Sequence, residues 1–140
     1  MNIDKYWLQP IPKNDDPTNM FAWVINGDQE IIAKNIFFFR EYDPTSGGDL
    51  YIWMAEEDDH KFLIATTYNI IDPPLVTGVE LINEEFILVY GNGNESTSIN
   101  NGSLAVYLDA GTKTVAGGFS IEIPLHSQHV SAKGRFNVKM

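Results

Sequence analysis

The chain contains no cysteine. No disulfide can therefore staple the fold, and no thiolate is available as a nucleophile or metal ligand. The same absence fits a reducing compartment. No apolar run approaches the roughly 20 residues that cross a bilayer as a helix. The opening segment Met1–Pro10 (MNIDKYWLQP) lacks the charged head and continuous apolar stretch of a secretory leader. A soluble, cytoplasmic protein is the expectation. Basic residues are also scarce: nine Lys and Arg stand against nineteen Asp and Glu, a formal net charge of −10.

That charge is concentrated. Between Glu41 and Thr112 there are thirteen acidic side chains and one basic residue, Lys61. From Lys113 to Met140 the balance reverses, with Lys113, Lys133, Arg135 and Lys139 against Glu122. A field of this sign repels phosphate backbones and anionic membranes and draws in cationic partners. The expectation is no nucleic-acid and no membrane partner.

What is present is a packable core. Hydrophobic residues make up 44% of the chain and aromatic ones 12%, a composition that argues against disorder. At 140 residues the chain suits a single domain that buries about two-thirds of its unfolded surface. The expected organisation is one domain over 1–140, with 1–19 as an N-terminal arm.

Short β-rich runs cut by turn residues organise the rest. Phe21–Ile25 meets Asn26-Gly27 and then Asp28–Ala33; Asn-Gly between such runs predicts a type I′ hairpin turn. Further strands are predicted at Ile36–Tyr42, Leu50–Ala55, Lys61–Tyr68, Gly78–Ile82, Phe86–Tyr90, Leu104–Leu108, Gly118–Ile123 and Val130–Met140. Breaks between them include Glu56–His60, Asn83–Glu85, Gly91–Gly102 and Ala110–Gly117. Tyr51–Leu63 and Val79–Tyr90 also carry spacings a helix could use, but their β-branched and aromatic content favours strands with acidic hairpin tips. About ten short strands predict an all-β fold: a single antiparallel β-sandwich of jelly-roll type, with a barrel as the alternative.

Two kinds of strand are distinguishable. Phe119, Ile121 and Ile123 alternate with Ser120, Glu122 and Pro124, and the last strand alternates likewise from Val130 to Met140. Each has a dry and a wet face. Gly134 falls on the dry row, as a bulge or a point of close approach. Ile36–Phe39, Leu50–Met54 and Phe86–Tyr90 are instead apolar on both faces. Their second face needs a cover: the N-terminal arm (Tyr6, Trp7, Leu8), a long loop, another subunit or a ligand.

Catalytic patterns are lacking. His126-Ser-Gln-His129 has no third ligand nearby in sequence, and His60 sits beside Asp58 and Asp59 in a polar turn. There is no G-x-S-x-G elbow, and no P-loop lysine follows Gly91-Asn-Gly-Asn. Asp43–Asp49 (DPTSGGD) is oxygen-rich but lacks the acid spacing of an EF-hand loop. The expectation is no metal, no cofactor and no enzymatic activity.

A binding role remains. The leading expectation is a non-enzymatic protein-binding module, immunity- or inhibitor-like, whose acidic band recognises a basic protein. Glu56, Glu57, Asp58, Asp59, Glu80, Glu84 and Glu85 are the candidate contact residues. The first alternative is a carbohydrate-binding or adhesin-like sandwich using the Gly91–Gly102 loop with Tyr68, Tyr90 and Tyr107. The second is a structural homo-oligomer burying the doubly apolar strands.

Overall fold

The computed structural model describes residues 3–43, 48–66, 75–81, 85–92, 95–125 and 128–140. A short helix α1 (Ile3–Trp7) precedes β1 (Met20–Ile25), β2 (Ile31–Ile32), β3 (Asn35–Asp43), β4 (Gly48–Glu57) and β5 (His60–Thr66). Then follow β6 (Leu75–Glu80), β7 (Phe86–Asn92), β8 (Glu95–Ser98), β9 (Gly102–Asp109), β10 (Thr114–Leu125) and β11 (Gln128–Lys139). They form an antiparallel sandwich of two sheets, ordered β2-β1-β11-β10-β9-β6 and β3-β4-β5-β7-β8, not closed into a barrel. Each sheet is built around a three-stranded meander, β9–β10–β11 in one and β3–β4–β5 in the other. The chain changes sheet between β5 and β6 and returns between β6 and β7, so β6 alone is inserted at an edge.

The core lies between the sheets. Phe62 on β5 packs against Trp23 at 4.9 Å, Tyr90 at 5.1 Å and Phe119 at 5.2 Å between ring centroids, with Phe21 at 6.2 Å. Trp53 meets Phe136 at 5.5 Å. Trp23, Trp53 and Phe62 are fully buried. A buried tryptophan removes about 150–250 Å² from water, contributing about 4–6 kcal/mol. The indole N–H groups of Trp23 and Trp53 find no acceptor among the described residues, a cost of about 1–3 kcal/mol each that ring burial exceeds.

The doubly apolar strands have their second face on the outside of the five-stranded sheet. Ile52, Met54, Leu63, Ala65 and Val89 form a second cluster there with Tyr6, flanked by Trp7, Ile11, Phe37, Phe39 and Ile87. The arm provides this cover, through Tyr6 and Trp7, whereas Leu8 is 79% exposed. The arm then wraps the β3 edge: Asn14 N–H donates to the Lys34 carbonyl, Ile36 N–H donates to the Pro12 carbonyl, and Lys13 bridges Asn35.

Turn chemistry largely follows the sequence. Asn26 and Gly27 have φ of 53° and 73°, both left-handed as a type I′ turn requires. The pairing beyond that turn slips by one residue, with Trp23 opposite Ile31. The strand expected over Asp28–Ala33 is therefore only Ile31–Ile32. Two other expectations are corrected. The polar stretch Gly91–Gly102 is not one loop, because β7 runs to Asn92 and Glu95–Ser98 pairs with it as an edge strand. The break expected over Ala110–Gly117 ends earlier, since β10 begins at Thr114. Gly117 lies within that strand at φ 150°, where a Cβ would stand 1.9 Å from the Ala105 carbonyl oxygen. Tyr68 and Ile82 lie outside the described residues.

Gly134 is a point of close approach. It pairs with Phe119 without a break in register, and a Cβ there would fall 2.1 Å from the Phe119 ring. Gly78 on β6 has nothing within 4 Å of its Cβ direction. Gly134→Ala should destabilise the fold by about 1–3 kcal/mol through overpacking, while Gly78→Ala should leave stability within about 0.5 kcal/mol of the parent. Urea unfolding of both variants checks the contrast; equal effects would show that the Phe119 ring is not seated on Gly134.

Candidate functional site

The acidic residues singled out in the sequence occupy two places. Glu57 pairs with His60 across the β4–β5 hairpin, leaving Asp58 and Asp59 as a two-residue turn. Their φ values are 51° and 65°. Aspartate is among the few non-glycine residues that enter this region readily, because its short side chain bonds locally. Both are exposed. Glu57 is half-buried and engaged: it accepts the Lys34 backbone N–H at 2.9 Å and lies 3.7 Å from the Lys34 ammonium. Glu56 stands opposite Lys61, whose ammonium donates to the Trp7 carbonyl and lies 4.8 Å over the Trp7 ring. Burial pulls the Lys61 pKa down, and Glu56 opposes that shift. Glu57 thus ties the hairpin to the segment before β3, Lys61 ties it to the arm, and Asp58 and Asp59 present the charge. An open cleft of about 320 Å³ beside the tip is lined by Glu30, Ile32, Lys34, Glu57 and Asp58, among others. Ile32 is 58% exposed there.

The second place is the outer face of the six-stranded sheet. Strand register aligns Gly78, Ala105, Gly118 and Arg135 in one row, and Glu80, Ser103, Ser120 and Lys133 in the next. The small residues of the first row leave a trough of about 660 Å³ with Glu80, Glu85, Ser103 and Ser120 along it. Arg135 closes the row, held by a two-point ion pair to Glu30 with contacts of 2.8 and 3.0 Å. Val76 and Tyr107 face each other on the neighbouring row and are exposed.

These acids do not form one continuous band. Asp59 adjoins His60 at one end of β5, and Glu85 precedes Phe86, which pairs with Thr66 at the other. A seven-residue strand separates them by roughly 20 Å. Glu84 lies outside the described residues.

His60 sits beneath the acidic tip. Its Nδ1 is 2.6 Å from the Tyr90 hydroxyl, and its ring meets Trp23 edge-on at 6.3 Å. Burial pushes the His60 pKa below its ordinary value, against the pull of Asp58 and Asp59. Burial likewise raises the Tyr90 pKa. Both groups are therefore neutral near pH 7, and a single hydrogen bond joins them, its direction following the His60 tautomer. Tyr90 is fully in the core, which removes it from the sugar-stacking set; Tyr107 remains accessible and Tyr68 is outside the described residues. Among the described residues no three of His, Asp and Glu are grouped to hold a metal. His126 and residues 44–47 of the Asp43–Asp49 turn lie outside them. No helix among the described residues is long and apolar enough to cross a membrane.

Sequence reasoning did not find Ile32, because its exposure follows from the slip after Asn26-Gly27. The small-residue row was also missed, since it is assembled from three strands. No family model, curated protein or solved structure matches the chain.

The lowered His60 pKa has a pH consequence. As pH falls, the unfolded chain takes up this proton before the folded one. The stabilisation from neutral His60 is complete above the unfolded value of about 6.5 and is lost as pH falls through the folded value. The melting temperature should fall over that window, and His60→Gln should flatten this part of the profile. Identical profiles for parent and variant would remove His60 as the source.

Proposed function

We propose that this chain is a non-enzymatic binding module whose acidic surface recognises a basic protein partner, in the manner of an immunity or inhibitor protein. One observation carries the reading. Lys5, Lys34, Arg40 and Arg135 are each paired within the molecule, to Glu41, Glu57, Asp49 and Glu30. Among the described residues, Asp58, Asp59 and Glu80 make no ion pair. Three acids of residues 41–112 are thus paired internally, while Asp58, Asp59 and Glu80 keep their charge on the surface. Charge of this kind raises the association rate and selects partners, while apolar contacts supply most of the affinity. Exposed Ile32 beside the acidic tip is such a contact. The lack of cysteine fits action in the cytoplasm.

A second reading, carbohydrate binding, has one observation in its favour. Tyr107 is 42% exposed beside a trough lined by hydroxyls and carboxylates. Trp23 and Trp53 are fully buried, so tryptophan fluorescence would be a poor reporter of a sugar there. Calorimetry on parent and Tyr107→Ala is the suitable comparison.

Asp58→Asn with Asp59→Asn removes both tip charges and keeps side chains that accept positive φ. The double variant should melt within about 2 °C of the parent and capture basic proteins several-fold less well at low salt. The check is a quantitative pull-down at low and high salt. If the parent's captured set is neutral in charge and indifferent to salt, the basic-partner reading is wrong.

A further inference from the structure

We infer that the open edge of β6 receives an extended segment of the partner as an added strand. The inference rests on the basic-partner reading and specifies its mode of docking.

The edges of the two sheets are unequally guarded. β2 is two residues long and β8 four. The first residues of β3 are covered by the arm through Pro12, Lys13 and Asn14, and its later part carries Arg40, Glu41 and Asp43. β6 differs from all three. Leu75–Glu80 (LVTGVE) pairs with β9 in unbroken register over six residues. Among the described residues nothing bonds to the backbone on its other side. Within Leu75–Glu80 there is no proline, bulge or lysine, and its one charged residue, Glu80, stands at the end of the strand. An unguarded, regular strand edge is a template for strand addition, in which main-chain bonds provide affinity and alternate side chains provide selectivity.

The surroundings of β6 define the chemistry of the added strand. One set of its side chains would extend the core rows of half-buried Thr77 and buried Val79, and these must be apolar. The alternate set would continue the outer face, beside exposed Val76, the empty space over Gly78, and the carboxylates of Glu80 and Glu85 in the trough. Complementarity makes that set cationic. The occupant is therefore an alternating basic and apolar segment. It is not a second copy of this chain, whose net charge of −10 opposes self-pairing.

The probe is a labelled eight-residue peptide alternating lysine and valine, compared with an isomer carrying a central proline. The parent should bind the first and not the second. Binding should slow amide exchange over residues 75–80 and weaken with salt. Neighbouring N–H groups in a strand point to opposite edges, so only one of Val76→Pro and Thr77→Pro lacks an N–H on the open side. That variant should keep its melting temperature, since proline is tolerated at an edge, and lose affinity about tenfold or more, the equivalent of one or two main-chain bonds. If both proline variants unfold early, peptides N-methylated on alternate residues replace them. Only the isomer methylated toward β6 should fail to bind.

Glu80→Gln should reduce affinity several-fold, and Asp58→Asn with Asp59→Asn should have a smaller effect on this probe. Binding that survives the edge proline, or both methylated isomers, but is lost in the Asp58/Asp59 variant would overturn the edge inference and leave the acidic-surface reading standing. Binding unaffected by salt and by every charge variant would overturn that reading as well. A parent that sediments as a dimer, made monomeric by the edge proline, would show the edge already taken and overturn the inference.

Discussion

The ring of Phe62 is the contact on which the sandwich depends. It faces inward from the central strand of the five-stranded sheet and touches Phe21, Trp23, Tyr90 and Phe119. These four lie on β1, β7 and β10, so one side chain couples both sheets and both meanders. Its neighbour in sequence is Lys61, which ties the arm, and the next is His60, which lies under the acidic turn. Displacing Phe62 would therefore loosen the interior, the arm and the candidate surface together. Gly134 belongs to the same arrangement, because the Phe119 ring reaches Phe62 only by lying across a residue without a Cβ.

The five-stranded sheet has a further requirement. With apolar residues on both faces it needs two layers of cover. The six-stranded sheet covers one face, and the arm covers part of the other. Lys61 serves two purposes there: its ammonium bonds the Trp7 carbonyl and lies over the Trp7 ring. Gly91 allows that ring to rest on the sheet, since a Cβ would stand 2.3 Å from it. The single basic residue of the acidic stretch is thus committed to the fold and is directed away from the Asp58-Asp59 turn, toward Trp7. Its commitment is one reason the surplus at Asp58 and Asp59 persists.

The candidate surface was legible in part. Asp58 and Asp59 at a hairpin tip could be read from an acidic break between two apolar runs, because turns of this kind must be polar and tolerate positive φ. Their separation from Glu80 and Glu85 could not be read. Sequence proximity carries no information about which end of a strand a residue occupies once the chain has crossed between sheets. The role of Glu57 was also hidden, since it depends on Lys34, brought in from the segment between β2 and β3. Tyr90 looked like Tyr107 in sequence, each within a β-rich run. One lies at an inward position of β7, between two other strands, and the other on an outer face.

The amino-acid sequence by itself determined the all-β class, the antiparallel pairing, most strand positions, the type I′ turn at Asn26-Gly27 and the need for a second cover. All of these follow from local propensity and from the period-2 alternation of side chains, which short segments carry complete. It also determined the sign and location of the excess charge. Tertiary structure alone decided which strands lie at the edges, β6 among them, that the arm supplies the cover, and that Gly78, Ala105 and Gly118 align into a trough. Each of these depends on register and strand order between segments far apart in the chain. Those are set by the summed packing of both sheets and not by any one stretch of residues.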